Sequence, residues 1–149
     1  MKPKILTLLF ITLNSCSFID SEHYSVDPKL KPFVDQFYNE AMNRKIRLQK
    51  DRLYVSVGDI SGSYQAITVR DEIVKVMVAP WVVNRFHKND SATFYQLQYV
   101  IYHELGHALL HRGHTYGVKS IMDVDGKIQD EYSNNKALRK ELINELFKR

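Results

Sequence analysis

The chain has 149 residues, 44% of them hydrophobic and 26% charged, which suits one compact domain around a single core. Its formal net charge of +4 falls to about +2 if Lys2 and Lys4 leave with the N-terminal segment. No stripe of lysine and arginine with interleaved aromatics accompanies that charge, so no nucleic-acid partner is expected.

The first residues, "MKPKILTLLFITLNSC", combine a basic start, an apolar run from Ile5 to Leu13 and small or polar residues. That order predicts a signal peptide over 1–15. The apolar run is too short to cross a bilayer as a helix. The ending "LNSC" resembles the lipobox of bacterial lipoproteins, in which the cysteine is lipidated and becomes the first residue. The resemblance implies a lipid on Cys16, the single cysteine of the chain, and attachment to a membrane of the bacterial cell envelope, periplasmic or surface-facing. Residues 17–26 then read as a tether that includes His23, and 27–149 as the folded domain.

Asp27 and Pro28 open a helical pattern that runs to about Arg44, with Leu30, Phe33, Val34, Phe37, Tyr38 and Ala41 on one face. Three alternating, β-branched stretches follow at 52–59, 63–71 and 72–80, with a turn at Asp71-Glu72 and a stop at Pro80. Trp81 is expected to be a buried anchor, and His87 a surface loop residue. Helical period returns after Asp90 or Ser91, either of which can cap, through Phe94, Leu97, Ile101, Leu105 and Ala108. Gly113 stands where a left-handed C-cap is expected. Residues 117–127 read as loop, and the end of the chain as an amphipathic helix with Leu138, Leu142, Ile143 and Leu146 inward. The order of elements predicts an α+β fold.

Four of the six histidines fall within "HELGHALLHRGH", residues 103 to 114. On a helix His103 and His107 are one turn and about 40° apart, so both imidazoles reach one ion. Zinc suits imidazole nitrogen, and a catalytic site uses three protein ligands. Glu104 lies beside the first ligand, where it can act as general base. His111 continues the same row but rises about 12 Å beyond His103 on a straight helix. His114 follows Gly113, which permits the chain to reverse, and is therefore favoured as third ligand. His111 would bind only if the helix ended after Leu109.

The residues "HELGHALLHRGH" and the later "KSIMD" resemble the metzincin zinc peptidases, whose pattern is HExxHxxGxxH with a methionine turn. Closer still, they look like small metallopeptidases carried as bacterial lipoproteins. The resemblance covers residues 73 to 123. It implies a zincin-like domain with Zn2+ on His103, His107 and His114, Glu104 as base and Met122 as the methionine of the turn beneath the metal. Two positions depart from the pattern: Leu110 stands at its glycine and Gly113 at its third histidine, which leaves His114 one residue late. Val124 occupies the place of a tyrosine found in some metzincins, and Tyr116 and Tyr132 are the substitutes as oxyanion donor. A later glutamate (Glu131, Glu141 or Glu145) is the alternative third ligand.

The implied activity is that of a monomeric zinc metalloendopeptidase acting on peptide or protein substrates, with the strand at 73–79 adding an extended substrate to a sheet edge. The alternative is a non-catalytic, zinc-stabilised lipoprotein that serves as a binding module.

Overall fold

The computed structural model describes residues 24–86 and 90–148. The signal segment, Cys16, His23 and His87 lie outside the described residues. In chain order the elements are β1 (Tyr24–Val26), α1 (Lys31–Asn43), β2 (Leu53–Val57), β3 (Ala66–Arg70), β4 (Val74–Val78), α2 (Pro80–Phe86), α3 (Ser91–Leu110), α4 (Gln129–Asn134) and α5 (Lys136–Leu146). The fold is α+β.

The strands form one mixed sheet in the order β1-β2-β4-β3. β1 pairs with β2 and β2 with β4 in parallel, while β3 lies antiparallel to β4. Parallel neighbours need a crossover, and α1 supplies it between β1 and β2. β3 and β4 form a hairpin that turns between Arg70 and Val74, around the expected Asp71-Glu72.

Residues 24–26, read as tether, are instead an edge strand in register with Leu53 to Val55. Three residues carry too little periodicity to be read as a strand; their distant partner makes them one. The strand at 74–78, expected to offer an edge, is enclosed between β2 and β3. Its Val76 and Val78 are buried completely, while Val69 on β3 is 46% exposed. The sheet's two edge strands are β1 and β3, and β3 is the one that reaches Glu104 of the site helix.

Local chemistry sets the helix starts. Asp27 organises a turn before α1, accepting from the Lys29 N–H at 2.8 Å through its side chain and from Leu30 and Lys31 through its carbonyl. The helix therefore starts later than Pro28, and Pro32 falls within its first turn, where its missing N–H costs nothing. Pro80 ends β4 and begins α2, a seven-residue helix whose buried side chains are Val82, Val83 and Phe86. Trp81 points away from that face and is 44% exposed, contrary to expectation. Asp90 caps α3, accepting from the Thr93 N–H at 2.9 Å.

The core lies where α1, α3, α5 and the sheet meet. Phe33, Val34, Phe37 and Ala41 of α1 join Leu97, Ile101 and Leu105 of α3 and Val76 and Val78 of β4. The Phe37 ring centroid sits 5.1 Å from Tyr102 and 4.9 Å from Phe147. Each such burial is worth about 1.5–3 kcal/mol. An exposed pair such as Lys31–Asp35 contributes at most about 1 kcal/mol. Apolar packing therefore sets the position of α3 and of the histidines it carries.

Candidate metal centre

α3 is a twenty-residue helix, and its last turns carry His103, Glu104 and His107. It ends at Leu110 because His111 adopts a left-handed conformation, φ 55° and ψ 32°. The N–H groups of His111 and Arg112 both close on the Gly106 carbonyl. The chain thus reverses at His111, and not at Gly113 as expected. Histidine is among the non-glycine residues enriched in that region. The reversal returns His114 to the helix.

The three Nε2 atoms of His103, His107 and His114 form a nearly equilateral triangle, with sides of 3.2 Å (103–107), 3.2 Å (103–114) and 3.1 Å (107–114). Nitrogens about 2.0–2.1 Å from a tetrahedral zinc stand roughly 3.3 Å apart, so the triangle suits zinc with little adjustment. His103 donates its Nδ1–H to the Ile121 carbonyl and His107 donates its Nδ1–H to the Arg112 carbonyl, both at 2.7 Å. A carbonyl only accepts, so each bond fixes the tautomer and leaves a bare lone pair on Nε2. Burial, reinforced by the neighbouring imidazoles, lowers the His103 pKa to about 4, against the pull of its backbone bond. His114 is lowered too, by burial and then His107. Neutral imidazoles with convergent lone pairs repel one another unless a cation lies between them. Among the described residues, these three side chains form a group able to hold a metal ion.

His111 is exposed and faces Arg70, away from the triangle. Glu131 pairs with Lys119 at 3.1 Å, and Glu145 bonds Arg112 and Ser120. Neither they nor Glu141 joins the histidines.

The left-handed residue, His111, precedes His114 by three positions.

The "SIMD" segment braces the residues that carry the triangle. The Ile121 carbonyl holds His103, and the Met122 carbonyl accepts from the N–H of Thr115, next to His114, at 2.8 Å. The Met122 side chain is 1% exposed and packs against Gly106, between His103 and His107. A Cβ on Gly106 would meet the Met122 sulfur at 2.6 Å and Leu146 at 3.1 Å. Glu145 on α5 ties the supports together: it accepts from the Ser120 hydroxyl at 2.9 Å and from Arg112, the residue whose carbonyl holds His107.

Gly106→Ala would gain about 1 kcal/mol of helix propensity. Overpacking against two buried side chains costs about 1–3 kcal/mol, so net destabilisation is expected, together with weaker metal binding as Met122 is displaced. Thermal unfolding and zinc titration of the variant check both.

Compared with protein-family models, curated proteins and solved structures, the chain matches none.

The triangle opens into a cleft of about 430 Å³ between β3 and the 123–126 loop. Glu104 lines it and is 7% exposed. The Thr68 hydroxyl, on the edge strand β3, lies 2.5 Å from Glu104 Oε2 and 3.1 Å from its backbone carbonyl. Burial raises the Glu104 pKa, opposed first by the Thr68 bond and then by His107. Thr68 has no signal in its own stretch of sequence; only the packing of β3 on α3 brings it to Glu104. Of the tyrosines considered as oxyanion donors, Tyr132 is fully buried and donates to Gln98 at 2.8 Å, and Tyr116 is 73% exposed. Neither lines the cleft, whereas Tyr64 and Tyr99 do.

Proposed function

We propose that this protein is a zinc-dependent metallopeptidase of the metzincin-like type, a zincin-like domain that hydrolyses peptide bonds. The observation that carries the proposal is the Nε2 triangle with Glu104 beside it, in a cleft bounded by a free strand edge. His103, His107 and His114 would hold the zinc, and Met122 would form the floor of the site. When bound, zinc supplies Lewis-acid polarisation of the scissile carbonyl and acidifies water.

The chain's own groups do the rest. An extended peptide pairs with the exposed backbone of β3, which sets its direction and depth in the cleft. Glu104 takes a proton from the attacking water and delivers it to the leaving amine. Burial keeps its affinity for that proton high, and Thr68 keeps the carboxylate oriented. Thr68 thereby links the substrate-binding strand to the base. Thr68→Val is expected to lower kcat by about ten-fold or more while zinc content stays unchanged, as metal analysis beside steady-state kinetics will show.

The direct test is cleavage of a peptide mixture by zinc-loaded protein. Activity should vanish with a chelator and return with zinc; no cleavage by fully loaded protein rejects the proposal.

We further propose that the domain is held at the cell envelope through a lipid on Cys16. No helix among the described residues is long and apolar enough to cross a membrane. Cys16→Ser should yield unprocessed or released protein in fractionated cells. Membrane attachment and processing equal to wild type would refute the anchor.

A further inference from the structure

The cleft is lined by other residues besides the histidines and Glu104, among them Tyr99, Asp123, Val124, Gly126 and Gln129. Asp123 is 7% exposed, and its Oδ1 is buried without a hydrogen-bond partner. Its charge acts on the Tyr99 phenol, whose pKa is raised by burial first and by Asp123 second.

A carboxylate removed from water needs a compensating donor or cation. No group of this lining makes a hydrogen bond to Asp123 Oδ1. Tyr99 directs its O–H to the Ser120 carbonyl at 3.4 Å, and Gln129 directs its amide N–H to the Gln96 carbonyl at 3.1 Å. Tyr99 Oη keeps acceptor capacity, and Gln129 keeps its Oε1 and one amide N–H. Thr115 forms a backbone bridge with Asp123, but its hydroxyl makes no bond to the carboxylate and is itself buried without a partner. Asp125 pairs with Lys127 at 2.6 Å, and no lysine or arginine lines the cleft.

A buried carboxylate without a hydrogen-bond partner, with no lysine or arginine lining the cleft beside it, suits a ligand that is positively charged and donates hydrogen bonds. Lysine and arginine side chains meet both conditions. A second metal ion does not fit, because among the described residues no group of ligating side chains gathers around Asp123. The field of the whole molecule gives no help either, since the chain is net positive. Any preference for a cation must therefore be local.

We propose that this part of the cleft is a subsite for a lysine or arginine side chain of the substrate and that Asp123 is its specificity-determining residue. The proposal rests on the peptidase reading for the identity of the ligand, but its test can fail separately. Zinc-loaded protein is titrated calorimetrically with two peptide hydroxamates that differ only in lysine or norleucine beside the hydroxamate. Cleavage of a peptide library is followed in parallel.

The lysine compound should bind at least about ten-fold more tightly. Asp123→Asn should bring the ratio near one without weakening the norleucine compound, and Asp125→Asn should leave it unchanged. A wild-type ratio near one overturns the subsite, whether or not Asp123→Asn folds. A ratio unchanged in Asp123→Asn, or lost in Asp125→Asn, overturns the assignment to Asp123. Preference for lysine with no cleavage of any peptide rejects the peptidase and retains the cationic subsite; cleavage without charge preference does the reverse. No binding of either compound rejects both.

Discussion

Glu104→Gln is expected to leave one zinc per chain and to lower kcat by about 10²–10⁴-fold, the range that a positioned general base contributes. The amide occupies the volume of the carboxylate, and the Thr68 hydroxyl can still donate to its oxygen, so the packing of β3 on α3 should survive. None of the Nε2 contacts involves the Glu104 side chain. What disappears is the ability to accept and return a proton. Metal analysis and single-turnover kinetics on the same sample separate the two effects. A zinc-stabilised binding module has no use for a base at this position: its ligand affinity would be unchanged, and there would be no turnover to lose. Full peptidase activity in Glu104→Gln would remove Glu104 from the mechanism.

Features dictated by neighbours along the chain were legible in the sequence. The i, i+4 spacing of His103 and His107 is helix geometry, and the Asp90 cap, the β3–β4 turn and the inward face of α5 depend on residues close in sequence. Features dictated by distant partners were not. β1 exists because β2 pairs with it, and β3 is an edge strand because β4 inserts between it and β2. Thr68 reaches Glu104 across 36 positions of sequence. Glu145, considered as a ligand, instead braces Arg112 and Ser120, a role visible only once α5 docks on the loops. The chain reversal was expected, but on the glycine that could make it most cheaply. Gly113 meets no such demand, whereas His111 takes φ 55° and closes the helix. Conformational permissiveness marks where a chain can turn, and the helix-ending bonds decide where it does.

The reversal also determines the result expected from the two remaining histidines. His114→Ala removes one corner of the Nε2 triangle and leaves two imidazoles on one helix. Zinc affinity should fall by more than the roughly 10–100-fold that loss of a supporting outer partner costs, and peptidase activity should disappear at ordinary zinc concentrations. His111 makes no contact with the triangle; its ring meets Arg70. The informative substitution there is His111→Gly, because glycine accepts the left-handed conformation without the cost of about 1 kcal/mol that a side chain incurs. It should keep zinc, keep the fold and melt no lower than wild type, apart from the loss of one exposed contact. His111→Pro, whose fixed φ forbids the cap, should disrupt the return of His114 and weaken zinc without touching a ligand. Parallel zinc titrations of His114→Ala, His111→Gly and His111→Pro decide the matter. Retention of tight zinc by His114→Ala would mean that the third ligand is not the residue brought back by this turn. Loss of zinc in His111→Gly would assign His111 a direct role that its place beside Arg70 does not predict.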